Sequence, residues 1–289
     1  MTALLFFFLH PDIPVFAKSI ETDRLIVRDV SGSLSKKELE RFSVRVDSLL
    51  GSVLKFWSSD PRIAEAGKII VEYDNPLKNN VAASYFFFRE ERNIRYRIVK
   101  VFGGFENPHQ LAHKLTSALF PNPDILIRNM MGEASEKRFG NPQSFPMCGF
   151  SKDEWVLALV SAGSFIPLEE IGSEQGDWGK EIVNNVPTVS DRIKQHTCYL
   201  EAGSFGEYLI TIFGINKMKQ FYRESKSKPR PWKEVYGKPL KALEEQWLNA
   251  IKSNPGTRAE NVAFLLKIWK DDPIRACFVA QDQAKGGSR

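Results

Sequence analysis

Histidine is scarce in this chain: four residues in 289. Cysteine is scarcer still, and the three, Cys148, Cys198 and Cys277, lack the close pairing of a cysteine metal site. An odd count allows one internal disulfide and one leftover thiol, and the sequence does not choose the pair. No apolar run approaches the ~20 residues of a membrane-spanning helix, so no membrane span is expected. Low-complexity stretches and internal repeats are absent. Basic residues are not gathered on one segment, and the net charge of +5 is spread along the chain. The densest run, 223–233 (RESKSKPRPWK), is rich in Ser and Pro and reads as a solvated loop. A nucleic-acid partner is therefore not expected, because such a surface needs basic and aromatic residues on one organised face.

What is present begins with a short apolar block, Leu4 to Leu9, and the small-residue pattern Val15-Phe16-Ala17 before Lys18. No Lys or Arg precedes the block, and His10 and Asp12 interrupt it. The expectation is a signal peptide over residues 1–17 and export to a periplasmic or secreted location. The alternative is a cytoplasmic protein with a buried N-terminal strand.

Beyond that segment the patterns change once. Residues 19–29 read as a strand, 35–58 as an amphipathic helix capped by Ser35, and 68–73 (KIIVEY) as a β-branched strand. Residues 81–88 and 94–102 read as a hairpin or neighbouring strands. From Asn107-Pro108 onward the pattern is helical, with segments to about Leu119, around Glu133 up to Gly140, and over 152–162, 197–213, from 215, 240–251 and 259–269. The fold class is α+β, a small mixed sheet with helices followed by a mostly α-helical part. The expected divisions are 1–17 (signal peptide), 18–105 (strand-rich subdomain), 106–275 (helical subdomain) and 276–289 (flexible tail).

The candidate site lies where these parts join. His109-Gln110-Leu111-Ala112-His113 places two of the four histidines four residues apart, which on a helix is one face. Glu133 follows twenty residues after His113. Two imidazoles and a carboxylate form a zinc ligand set that leaves a fourth position for water. In H-E-x-x-H sites the residue after the first His is the general base. Here it is Gln110, whose amide cannot take a proton at neutral pH.

These residues and several further blocks resemble the gluzincin metallopeptidases, in particular the bacterial peptidase MA-like domain proteins, over roughly residues 21–251. His109–His113 stands for their HExxH, and Met131-Gly132-Glu133 for the helix that carries the third ligand. Phe165–Ile171 (FIPLEEI) resembles their "ipLeeL" segment. Tyr199–Phe205 (YLEAGSF), running on to Tyr208-Leu209 and Phe213-Gly214, resembles their "Y-x-x-A-G-S-F" helix, and Tyr236-Gly237-Lys238 with Leu243-Glu244 and Trp247 their closing helix. The resemblance implies a thermolysin-like architecture, Zn2+ on His109, His113 and Glu133, and Tyr199 as a hydrogen-bond donor to a tetrahedral oxyanion. Gln110, Ala134 after the ligand Glu, Glu136 where a small residue is usual, and the missing Gly-x-Met-Glu-Asn motif depart from the family pattern.

Three readings follow. In the first, zinc is retained, hydrolysis is impaired or lost because a general base is worth about 10²–10⁴ in rate, and the cleft binds a peptide or protein. In the second, the chain is a working metallopeptidase with a non-standard base, Glu106 being nearest in sequence. In the third, it is a metal-free scaffold for protein contacts. His10 and His196 are read as structural, and the oligomeric state stays open.

Overall fold

The computed structural model describes residues 18–57, 68–74, 84–91, 93–101, 110–183 and 186–286. The proposed signal peptide, the Asn107-Pro108 helix opening, Glu106 and His109 lie outside the described residues.

The front of the molecule is a five-stranded mixed sheet of order β1-β2-β3-β5-β4. The first expected strand divides into two, β1 (Lys18–Glu21) and β2 (Leu25–Asp29), paired antiparallel. Thr22 makes the turn: its hydroxyl accepts from the backbone N–H of Arg24 and of Leu25, the local bonding that draws Thr out of regular strands. After β2 the chain crosses through α1 (Lys36–Trp57) to β3 (Ile69–Tyr73), which is parallel to β2. Ser35 and Glu38 close α1 with reciprocal side-chain-to-backbone bonds, a capping box. Its buried stripe, Leu39, Phe42, Val46, Leu50, Val53 and Trp57, recurs every three or four residues. Every residue of β3 is buried, as a central parallel strand requires. β4 (Tyr85–Glu91) and β5 (Ile94–Val101) form the expected hairpin, with Asn93 at φ 63° in its turn, and β5 runs parallel to β3.

The rest is helical. α2 (Leu111–Leu119) is buried along its whole length between the sheet and α3 (Ile125–Phe139), and α3 packs in turn on α5 (Arg192–Phe213). Around these stand α4 (Lys152–Ala162), α6 (Ile215–Glu224), α7 (Trp232–Tyr236), α8 (Leu240–Ser253) and α9 (Ala259–Asp271). A two-stranded ribbon of β6 (Lys180–Val183) and β7 (Val186–Val189) precedes α5. The architecture is thus α+β, as expected. Among the described residues no helix is long and apolar enough to cross a membrane.

Two regions differ from expectation. α2 opens at Leu111, with Gln110 as its N-cap in the left-handed conformation (φ 51°, ψ 35°). The four-residue helical spacing assumed for His109 and His113 needs residue 110 to be right-handed helical, and it is not. The expected flexible tail forms α10 (Ala276–Gly286), with Ala276 and Ala280 buried. Cys277 is joined to Cys148 by a disulfide, and Cys198 is the free, buried thiol. The Gln281 side chain also donates to the Gln143 carbonyl.

The bridge spans 129 residues, so it removes much freedom from the unfolded chain. Cys277→Ser should lower the unfolding free energy by about 2–4 kcal/mol. Denaturant unfolding of the variant against the oxidised wild type measures this, and coincident midpoints would refute it.

Candidate functional site: a buried ion-paired core

Of the residues singled out in the sequence, the fold brings four together: Gln110, His113, Glu133 and Tyr199. The His113 and Tyr199 ring centres are 5.7 Å apart. His113 Nδ1 lies 2.9 Å from Glu133 Oε1, and both side chains are 0 % exposed. The close approach of α2 and α3 depends on Gly132. A Cβ there would sit 2.4 Å from His113 Cδ2, so only glycine admits the ring.

Glu133 is surrounded by donors. Gln110 Nε2 donates to its Oε1 at 3.3 Å and to the Phe145 carbonyl at 3.2 Å. Lys152, from the first turn of α4, places its ammonium 2.9 Å from Oε2 and donates to the Glu133 carbonyl oxygen at 3.2 Å. The contact at Oε2 is an ion pair, not an aligned hydrogen bond, and Oε2 receives no other donor. Lys152 reaches Glu133 past Gly203 of α5, where a Cβ would stand 2.5 Å from the lysine stem. Glu136, one turn on from Glu133, accepts the His113 backbone N–H at 3.2 Å.

Electrostatics fix the protonation states. Burial and the neighbouring Lys114 ammonium push the His113 pKa down to about 3, so the ring is neutral at pH 7. Burial opposes the charged Glu133, but Lys152 and His113 outweigh it and hold its pKa at about 2. Glu136, desolvated and beside Glu133, is raised to about 7. A neutral ring has one N–H. On Nδ1 it donates to Glu133, which leaves Nε2 as an acceptor 3.0 Å from the Asn129 side-chain oxygen. The Asn129 nitrogen lacks a partner in that orientation, and exchanging its amide ends supplies Nε2 with an N–H.

Two of the three expected zinc ligands, His113 and Glu133, are described, and each is engaged by other side chains; His109 lies outside the described residues. Both nitrogens of His113 are engaged, and an ammonium occupies the cation position beside Glu133. Among the described residues no three His, Cys, Asp or Glu side chains gather as a metal group. The arrangement is a closed polar network, with its one carboxylate–ammonium pair fully desolvated.

Tyr199 is buried beside this core, edge-on to Trp178 with ring centres 5.5 Å apart. Its hydroxyl accepts from Lys180 Nζ at 2.5 Å. Burial pushes its pKa up, and burial with nearby Lys114 and Arg128 pushes Lys180 well down. His196 is buried away from Glu133: Nε2 donates to the Pro146 carbonyl at 2.9 Å, and the ring packs on Phe145, Trp155 and Trp269. The FIPLEEI segment is held by two carboxylates, Glu201 accepting from the Ile166 N–H and Glu244 from the Leu168 N–H. Lys152, Asn129 and Lys180 were missed by sequence reasoning. Each reaches the core from a different element, and only a long-range contact reveals it.

Comparison with known proteins gives no match to a family model, to a curated protein or to a solved structure.

Two predictions follow from the network. Lys152→Met should destabilise by about 3–5 kcal/mol, because it strands a buried carboxylate, and the double variant Lys152→Met/Glu133→Leu should recover much of that loss. Unfolding free energies of the two variants test this, and a double variant no better than the single one would refute it. The second concerns acid. His113 and His196, lowered to about 3 and about 4, favour folding at neutral pH, and their contribution is lost as pH falls below about 6.5, where the unfolded histidines gain protons. Glu136, raised to about 7, acts oppositely: the folded state binds its proton first, so its contribution grows as pH falls from about 7 to 4.5. Glu201 and Glu244, also raised by burial, act in the same direction as Glu136. Removing the Glu136 contribution should therefore make stability fall more steeply, or rise less, between pH 6.5 and 4.5 in Glu136→Gln than in the wild type. Equal slopes would show that Glu136 does not titrate in this window.

Proposed function

We propose that this chain is a gluzincin-like, thermolysin-related fold that binds a peptide or protein partner without cleaving it, its core held by an internal ion pair in place of zinc. The observation that carries this reading is the Lys152 ammonium 2.9 Å from Glu133 Oε2. A zinc ion at Glu133 would have to displace it, and His113 Nε2 would have to leave Asn129. The left-handed Gln110 supports the same reading. Its amide is a donor to Glu133 and to the Phe145 carbonyl, not a substituted base facing an open position. A carboxylate at 110 would face two acceptors.

Binding is the role that remains for a peptidase-like fold whose hydrolytic groups are so engaged, and the resemblance to peptidases supports a peptide or protein as the partner. Export is supported by the Cys148–Cys277 disulfide, a bond that persists in oxidising compartments.

Elemental analysis of the purified full chain, with a broad peptide-cleavage screen, tests the reading. The expected result is no stoichiometric zinc and no cleavage. A chelator-removable zinc ion in each chain would overturn it in favour of the zinc-retaining reading. Gln110→Glu should not switch hydrolysis on. It should lower stability by about 1–3 kcal/mol, since it swaps a donor for a charged acceptor in a buried site. A gain of peptidase activity in that variant would reinstate the peptidase reading.

A further inference from the structure

Beside the Glu133 network stands a second cluster that it does not use. Lys114 lies on α2, Arg128 on α3, Lys180 at the start of β6 and Tyr199 on α5. Lys114 Nζ is 5.6 Å and Lys180 Nζ 4.4 Å from the centre of the Tyr199 ring, and Lys180 also donates to its hydroxyl. Arg128 is within electrostatic reach of all three. Three basic side chains from three elements thus converge on one phenol.

Among the described residues none of the three makes an ion pair, although Glu133 is within electrostatic reach of both lysines and Asp124 of Arg128. Lys152 takes the Glu133 carboxylate, and Glu136 accepts from the His113 backbone. Among the described residues Lys114 and Arg128 make no side-chain hydrogen bond or ion pair, although Lys114 is only 7 % exposed. A buried ammonium without a direct ion-pair partner is costly, and three basic groups held together repel one another. Lys114 is buried, but Arg128 and Lys180 are half-buried, so the cluster borders the surface through those two residues.

We propose that Lys114, Arg128, Lys180 and the Tyr199 hydroxyl form a binding site for a small oxyanion, a carboxylate or a phosphate group. The planar Arg128 fork pairs with two oxygens of such a group, the two lysines supply point charges, and the phenol donates a directional hydrogen bond. Lys180, already on the phenol oxygen, orients it. The two lysines lie over one ring, a small span that suits a compact anion and not an extended polyanion. The site does not depend on whether the chain binds peptides.

Thermal unfolding of the full chain in inorganic phosphate or in acetate, each against chloride at matched ionic strength, tests the proposal. The expected result is a saturable rise in Tm with at least one of the two, about 5 °C near a hundredfold excess over Kd. A response to phosphate alone assigns a phosphate group, to acetate alone a carboxylate, and to both a general oxyanion site. Lys114→Gln and Arg128→Gln should each weaken binding about tenfold or more, whereas Lys217→Gln, at an exposed lysine of α6, should not. A measurement on the unmodified protein guards against misfolded variants. Amine acetylation read by mass spectrometry should show the responding anion shielding Lys114 and Lys180 but not Lys217. No rise beyond chloride with either anion, or a rise without shielding of those lysines, would overturn the proposal.

Discussion

One carboxylate, Glu133, organises the centre of this molecule. A fully buried anion is tolerated only where donors meet it, and here they come from different elements: His113 from α2, Gln110 from the cap of that helix, and Lys152 from α4. Each donor constrains a helix. For the histidine to reach, α3 must present Gly132 to the ring. For the lysine to reach, α5 must present Gly203 to its stem. The glycines and the charge therefore depend on one another, and a side chain at either glycine would separate the helices that the ion pair draws together.

The groups around Glu133 are arranged differently from the open ligand set of a catalytic metal site. A catalytic metal site keeps one position open and its ligand lone pairs directed at the ion. Here the polar groups are directed at one another. The internal ammonium supplies the positive charge, and the Gln110 amide supplies a proton where a base would take one away. A closed network of this kind makes a specific and rigid core.

Most of the secondary structure was legible in the sequence because periodicity and caps are local. Lys152–Ala162 and the start of the helix at Ala259 agree with the structure, as do the Ser35 cap and the hairpin around Asn93. The opening of α2 was not legible. Nothing local signals that Gln110 takes a left-handed conformation, which is held by its contacts to Glu133 and Phe145, 23 and 35 residues away. For the site, the sequence pointed to His113, Glu133, Gln110 and Tyr199 as neighbours, and the fold brings them together. It did not show what they do there, because that depends on Lys152, Asn129 and Lys180, whose identity as partners is a property of the packing. The tail was misread because its small residues carry little hydrophobic signal, while Ala276, Ala280 and Cys277 find burial through contacts made far along the chain.

The bond between Cys148 and Cys277 makes a closed covalent ring of the chain from just before α4 to the first turn of α10. Inside that ring lie the ribbon, α5 and the helices that back the core. A single protease cut anywhere within it leaves one connected molecule, with the severed ends still tethered through sulfur. Until the bridge is reduced, a nick in the exposed stretch 226–229 between α6 and α7 turns the ring into a branched chain and releases no fragment.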